Sequence, residues 1–271
     1  MLKVLSLFDG MSCGQIALNR LGLKIDSYKA SEIDKYAMTV TKSNYPDTIY
    51  LGDVRDVTVR EHFDLIMFGS PCQGFSFSGN HLNFDDPRSK LFFEAVRILG
   101  QARQINPDVK FLMENVRMKK ESMEIITDAL GVDPVAINSN LVSAQNRHRL
   151  YWTNLGVDGL PQDRGIKLKD IIEGDHTNPK IRQIPRGWNK GGLKALDGKV
   201  PSLTTSGWQH NNHLTFDEGL TYRKLTPLEC ERLQTVPENY TNYVSDTQRY
   251  KMLGNGWTVD IICHLLKNII N

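Results

Sequence analysis

Only four of the 271 residues are cysteine, at positions 13, 72, 230 and 263, and none stands in a Cys-x-x-Cys pair. That excludes a dense disulfide framework and a zinc ribbon, and it matches the cysteine usage of a reduced, cytoplasmic protein. No apolar run is long enough to cross a bilayer; the longest, Val259–Ile270, is broken by Asp260, His264 and Lys267. Leu2–Phe8 is too short for a secretory signal, and Asp9-Gly10 follows it in place of a cleavage site. A surplus of charge is missing too. The 33 Lys and Arg balance 31 Asp and Glu to a net +2. A protein that coats a polyanion over its whole surface would be far more basic, so any nucleic-acid contact must come from a local patch. Internal repeats and low-complexity tracts are absent. What remains is ordinary globular composition, 40% hydrophobic and 24% charged. The length allows one large domain, or one large and one small.

The first 155 residues alternate short apolar runs with amphipathic stretches. Strands are predicted over Leu2–Phe8, Ile25–Ala30, Thr48–Leu51, Phe63–Phe68 and Val109–Met113, and helices over Gly14–Leu21, Lys35–Asn44, Ser89–Gln104 and Ser122–Leu130. Val135–Val142 and Arg149–Asn154 read as a final antiparallel pair. This alternation predicts an α/β fold with a doubly wound, mainly parallel sheet. Right-handed crossovers then bring the strand C-termini to one edge, where open α/β sheets bind ligands. Asp9-Gly10, Glu32, Asp53, Pro71-Cys72 and Glu114-Asn115 all fall there.

Beyond Leu155 the texture changes. Gly and Pro become frequent, and Pro161–His213 holds 9 Lys and Arg against 5 Asp and Glu. That is the local basic patch, although a solvated, loop-rich surface would read the same way. After Tyr222, Thr226-Pro227-Leu228-Glu229 opens a helix with Thr as N-cap, Pro at the first position and Glu at the third. Val259–Ile269 is the closing amphipathic helix.

Individual residues carry chemistry of their own. The Gly-containing turn Phe8–Gly14 joins a strand to a helix without the Gly-x-Gly-x-x-Gly spacing of a pyrophosphate site. Glu32 ends the second strand, where a carboxylate can accept ribose hydroxyls, and Asp53 could take an exocyclic adenine amine. Together they suggest a nucleoside cofactor without phosphates, although a tight βα turn alone needs no ligand. Cys72 follows a proline at a strand end and precedes a Gly-Phe-Ser-Phe-Ser-Gly loop, an exposed setting in which a thiol can be a nucleophile; isolated cysteines are more often small core residues. Glu114 ends an apolar strand, where partial burial would favour the protonated acid; the alternative is a surface carboxylate. Gln145, Arg147 and Arg149 would share one face of an extended segment, which could equally be a solvated one.

In this order, Phe8-Asp9-Gly10-Met11-Ser12-Cys13-Gly14, Pro71-Cys72-Gln73, Glu114-Asn115-Val116, Gln145-x-Arg147-x-Arg149, Arg223–Pro237 and Gly254-Asn255-Gly256-Trp257 resemble the C5-cytosine DNA methyltransferase family. The compact length is similar to stand-alone bacterial or phage members, and Leu91–Arg97 and Leu141–Trp152 to the de novo branch of the animal enzymes. The resemblance implies that a Cys72 thiolate adds to C6 of a flipped cytosine, that Glu114 hydrogen-bonds or protonates N3, and that Arg147 and Arg149 hold O2. It implies S-adenosylmethionine as cofactor, with S-adenosylhomocysteine as product. The cofactor would be held by Phe8, Asp9, Gly10, Ser12, Gly14, Glu32, Ile33, Asp53, Val54, Ser70, Asn255 and Trp257. Phe75–Arg88 would be a loop closing over the base. A catalytic domain of residues 1–154 plus 245–271 is expected, with a small, irregular target-recognition domain over 155–244. Gln73, Ser76, Arg182, Arg186, Lys190, Lys194 and the Thr204-Thr205-Ser206 loop are the candidate contacts to double-stranded DNA. His210-x-x-His213 lacks further ligands at fitting spacing, so no metal is expected. A cytoplasmic monomer, working beside a restriction endonuclease, completes the expectation. The family also contains a tRNA-modifying branch, whose Cys-Phe-Thr signature is missing here, and non-catalytic relatives, which typically lose residues equivalent to Cys72 or the cofactor set.

Overall fold

The computed structural model describes the chain apart from residues 71–86, 175, 177, 186–188, 195–197, 206–211, 218–219 and 270–271, and apart from the side chains of 87–89. Its contacts divide the chain into two compact units. One comprises Met1–Ile137, His148–Gly159 and Cys263–Asn271; the other comprises Asn138–Arg147 and Leu160–Ile262.

The first unit is an α/β sheet. In chain order its elements begin β1 (Leu2–Leu7), α1 (Cys13–Arg20), β2 (Ile25–Ser31), α2 (Lys35–Asn44), β3 (Ile49–Tyr50), β4 (Leu65–Phe68), α3 (Pro87–Ile105), β5 (Lys110–Val116), α4 (Lys120–Leu130) and β6 (Val135–Asn138). After the two-residue β7 (Gln145–Asn146), which pairs elsewhere, comes β8 (His148–Thr153). Among the described residues the strand order is β3-β2-β1-β4-β5-β8-β6. The pairs from β3 through β5 are parallel, and β8 runs antiparallel to β5. The central strands read as unbroken apolar runs because both faces are covered. Leu5 and Leu7 lie beside Ile66 and Phe68 on one face, packed with Phe92, Ala95, Ile98 and Leu99 of α3 and with Ile126 of α4. Each such side chain contributes roughly 1.5–3 kcal/mol by leaving water. On the other face a Cβ at Gly14 of α1 would lie 2.5 Å from the Met67 Cε. Winding reverses between β1 and β4, so the crevice past their C-terminal ends is the topological switch point.

The second unit has less regular structure. Its strands are β9 (Lys180–Gln183), β10 (Gly192–Lys194), β11 (Val200–Pro201), β12 (His213–Thr215) and β13 (Arg223–Lys224). Among the described residues β10-β9-β12-β13 form an antiparallel sheet, and β11 pairs in parallel with β7. Helices α5 (Pro227–Leu233) and α6 (Asp246–Asn255) follow, and α7 (Val259–Leu266) leads back into the first unit. The capping box expected at Thr226 is present. Thr226 Oγ1 accepts from Glu229 N at 3.2 Å, and Glu229 Oε2 accepts from Thr226 N at 2.8 Å.

Candidate active site

The turn after β1 is strained and then pinned. Phe8, Gly10 and Ser12 have φ of +55°, +58° and +64°. Glycine adopts this region freely, but Phe and Ser each lose about 1–2 kcal/mol there. Glu32, at the end of β2, holds the turn with its carboxylate. Oε2 accepts from Gly10 N at 2.7 Å, and Oε1 accepts from Ile33 N at 2.8 Å and Asp34 N at 2.7 Å. A carboxylate offers about four acceptor positions, so one remains for a hydroxyl. Non-glycine residues held at positive φ by a surrounding network are a recurring mark of ligand sites.

Asp9 stands at the centre of this turn. Tyr28 Oη donates to its Oδ1 at 2.7 Å, while Oδ2 is shut off from solvent and has no hydrogen-bond partner among the described residues. Burial pushes the carboxyl up to about 6, against the lowering effect of the Ser6, Tyr28 and Ser12 hydroxyls, and Glu32 raises it further. The same burial, with Asp9 beside it, lifts the Tyr28 phenol well above its usual range, so Tyr28 stays a donor. A buried carboxylate oxygen without a partner is a place prepared for a cation or a donor.

The other expected cofactor residues divide by exposure. Ser12 within the turn, Gly14 just after it and Val54 after β3 are buried. The Ser12 hydroxyl donates to Gln15 Oε1 at 3.2 Å. Ile33 is 73% exposed at the end of β2. Asp53 follows β3, and Arg55 binds it through backbone N, Nε and Nη2 at 3.0, 2.9 and 2.5 Å, which holds its carboxyl down at about 2. Ser70, after β4, is buried and accepts from Asn115 Nδ2 at 3.4 Å.

Glu114, near the end of β5, is 9% exposed and paired with Arg149 of β8, Nε to Oε1 at 2.8 Å. The antiparallel register sets Glu114 opposite Tyr151 and Val116 opposite Arg149, so the guanidinium reaches back diagonally to the carboxylate. Arg149 also donates from Nη1 to His148 O at 2.8 Å. The first unit therefore carries, along one sheet edge, a pinned turn, a buried acid and a cation-paired carboxylate. Cys72, Gln73, Ser76 and residues 75–86 of the expected loop Phe75–Arg88 lie outside the described residues, and the last two residues of that expected loop belong to α3.

Arg147 corrects one expectation. Gln145, Arg147 and Arg149 do not form one continuous strand. The chain leaves β7, which pairs with β11 in the second unit, and enters β8, which pairs with β5 in the first, with Arg147 at the break. Alternation within one strand cannot apply across that change of sheet. The Arg147 guanidinium is buried and donates to Ser202 Oγ, Leu203 O, Gly254 O and Gly256 O at 3.2, 3.0, 3.2 and 2.9 Å. Gln145 is also buried and donates to Leu233 O and Gln234 Oε1.

In the same unit Asn255 is exposed and Trp257 half-buried. Thr205 and Lys190 are exposed. Arg182 stacks its guanidinium 4.5 Å from the Tyr222 ring centre, whereas Lys194 turns back onto Gly191 O and Asn189 Oδ1. Arg186, Ser206 and His210 fall outside the described residues, and His213 packs edge-on against Tyr222. Among the described residues no group of three or more His, Cys, Asp or Glu could hold a metal ion, and no helix is long and apolar enough to cross a membrane.

Sequence reasoning missed Tyr28 and Gln234, and it named Asn115 at the sheet edge without giving it a role. Tyr28 could be read as a strand residue, but its contact with Asp9 depends on the β1–β2 register, which sets it opposite Val4. Asn115 sits next to a predicted strand end and was passed over for its neighbour. Gln234 gave no signal, since its partners, the Gln145 side chain, the Thr258 hydroxyl and the carbonyls of Leu253 and Gly256, lie in distant segments.

The model of the family described as C-5 cytosine-specific DNA methylase matches residues 2–190 and 160–271. The type II methyltransferase M.HpaII of Haemophilus parainfluenzae is 29% identical, over 98% of this chain and 88% of the relative. The type II methyltransferase M.HhaI of Haemophilus parahaemolyticus is 26% identical, over 99% and 94%. Among solved structures, the S. pombe Dnmt2 methyltransferase superposes with a TM-score of 0.73 at 20% identity, covering 100% of this chain and 98% of that one. That likeness carries the fold.

Proposed function

The chain belongs to the C-5 cytosine-specific DNA methylase family, and we propose how its residues carry out that family's reaction. It is an S-adenosylmethionine-dependent DNA cytosine-C5 methyltransferase, related throughout its length to type II enzymes. The observation that carries the residue roles is the Glu114–Arg149 pair at 2.8 Å, on the same sheet edge as the turn pinned by Glu32.

Cytosine C5 is a weak nucleophile. Cys72 adds as a thiolate to C6, and the ring then carries electron density that C5 can use. Glu114 meets the ring at N3, donating a hydrogen bond or proton as density builds there, and Arg149 both orients Glu114 and faces O2. The target must leave the duplex stack first, at a cost of a few kcal/mol. Loss of the C5 proton expels Cys72 and restores the aromatic ring. The cofactor supplies the methyl group as an electrophile on a sulfonium centre. The residues of the turn fit such a ligand. Glu32 keeps an acceptor position for a ribose hydroxyl, Asp9 Oδ2 is a buried anion suited to the cationic end, and Phe8, Ile33 and Asp53 border the base, with Asn255 and Trp257 as further contacts. Gly14, Ser12 and Val54 are buried members of this set.

Arg182, Arg186 and Lys190 contact DNA, with Thr205 on the backbone, and Gln73 and Ser76 are assigned there by the resemblance around Cys72. The protein acts as a cytoplasmic monomer without a metal, marking sites also cut by a companion endonuclease. The test is transfer of labelled methyl from S-adenosylmethionine to duplex DNA and, separately, to tRNA. Label recovered as 5-methylcytosine from DNA supports this function; label in tRNA alone overturns the substrate.

A further inference from the structure

We infer that Arg147 is a positioning residue that couples cofactor binding to DNA binding, through the backbone it holds and not through contact with the base. The inference rests on the proposed roles of Asn255 and Trp257 toward the cofactor and of Thr205 toward DNA. Helix α6 ends at Asn255, and the last carbonyls of a helix lack partners within it. Arg147 Nη2 takes Gly254 O at 3.2 Å and Gly256 O at 2.9 Å, placing a cation at the negative end of the helix. Gln234 Nε2 takes Leu253 O and Gly256 O at 2.6 and 2.9 Å. The last carbonyls of the helix and its cap are therefore held by two side chains from distant segments, Arg147 and Gln234.

The other half of the same guanidinium reaches a different segment. Nη1 donates to Ser202 Oγ at 3.2 Å and Leu203 O at 3.0 Å. That segment runs into the exposed Thr204-Thr205. Independently, a Cβ on Gly254 would fall 2.4 Å from the Thr204 carbonyl carbon and 2.6 Å from Thr205 N. The two backbones are thus in direct apposition, and only glycine permits it. The four N–H groups of Nη1 and Nη2 are engaged in this junction, so neither nitrogen can turn to a base without breaking it. Any displacement of the turn by the cofactor is transmitted to the loop, and thermodynamic linkage makes the effect reciprocal.

The test uses the full-length protein and two variants, Arg147→Lys and Ser202→Ala. Equilibrium dialysis gives the dissociation constant for S-adenosylmethionine with and without duplex DNA, and single-turnover methylation gives the rate at saturation of both. Lysine cannot span both segments. The expected result for R147K is about tenfold weaker binding of each ligand, corrected for folded fraction, with loss of their mutual enhancement. The saturated rate should stay within about threefold. Unchanged affinities with a saturated rate lowered about a hundredfold would mean that Arg147 touches the base and would overturn the inference. Unchanged affinities and rate would mean a purely structural role and would overturn it too. If R147K does not fold, S202A decides: about threefold weaker binding of both ligands supports the junction, and wild-type affinity refutes it. Failure of the underlying site reading looks different. Trp257→Ala would then bind the cofactor as tightly as the wild type does.

Discussion

Replacing Asp9 by Asn removes a buried ionisable group from the turn after β1, and the consequence is a stability change of definite sign. Asp9 is raised to about 6 by burial, whereas an aspartate in an unfolded chain titrates near ~3.9. The folded protein therefore holds this proton more tightly than the unfolded chain does. The associated stability is fully present below about pH 4 and is lost as pH rises through about 6. A difference of roughly two units is worth about 3 kcal/mol, of which about half disappears between pH 5 and pH 8. The amide introduced by D9N has no such dependence. It leaves a polar atom in the place of Oδ2, and whatever that costs is the same at both pH values. The assay is urea unfolding of wild type and D9N at pH 5 and pH 8. The expected outcome is a shift of about 1–2 kcal/mol in favour of D9N between the two conditions. Cofactor affinity should move the other way, falling about tenfold in D9N at pH 8 and much less at pH 5, where wild-type Asp9 is already mostly protonated. A weaker site in a protein whose stability gains on wild type as pH rises is what a buried carboxylate kept for a ligand predicts. Parallel pH profiles for the two proteins would refute the reasoning.

The junction and the acid give two more expectations. Gly254→Ala drives a methyl group into the Thr204–Thr205 backbone at 2.4–2.6 Å. It should cost about 1–3 kcal/mol in thermal or urea unfolding and weaken DNA binding in a filter assay, whereas wild-type behaviour would mean that the two segments are free to part. Glu114→Gln retains an acceptor for Arg149 but cannot supply a proton; turnover should fall about 10²–10⁴-fold while the cofactor dissociation constant, read by calorimetry, stays within about twofold.

Much of the first unit was legible because its signals are local. β1 and β2 match the apolar runs ended by Asp9-Gly10 and Ser31-Glu32 to within a residue, and α2 starts and stops where Asp34 and Pro46 direct. The Asp34 cap on Tyr36 N, at 3.0 Å, and the Thr226 capping box need only neighbouring residues. The surroundings of Arg147 were not legible, for the opposite reason. Gln145-x-Arg147-x-Arg149 reads as one alternating segment, but β7 pairs with β11 in one sheet and β8 lies between β5 and β6 in another. The atoms that hold Arg147 are mostly backbone carbonyls, which any residue type supplies, so no pattern of side chains announces them. Asp9 lies between these cases. Its place at the sheet edge could be read, but its link to Tyr28 depends on the β1–β2 register.

The central claim is that the Cys72 thiol forms a covalent bond to a cytosine ring during methylation of DNA. The most direct measurement is to incubate the protein with S-adenosylmethionine and duplex DNA carrying 5-fluorocytosine at its methylation sites, then digest and map the product by mass spectrometry. Fluorine at C5 cannot leave as a proton does, so the account predicts a stable methylated adduct on the peptide that contains Cys72. Methyl transfer to ordinary DNA without any adduct at Cys72, or an adduct on another residue, would contradict it.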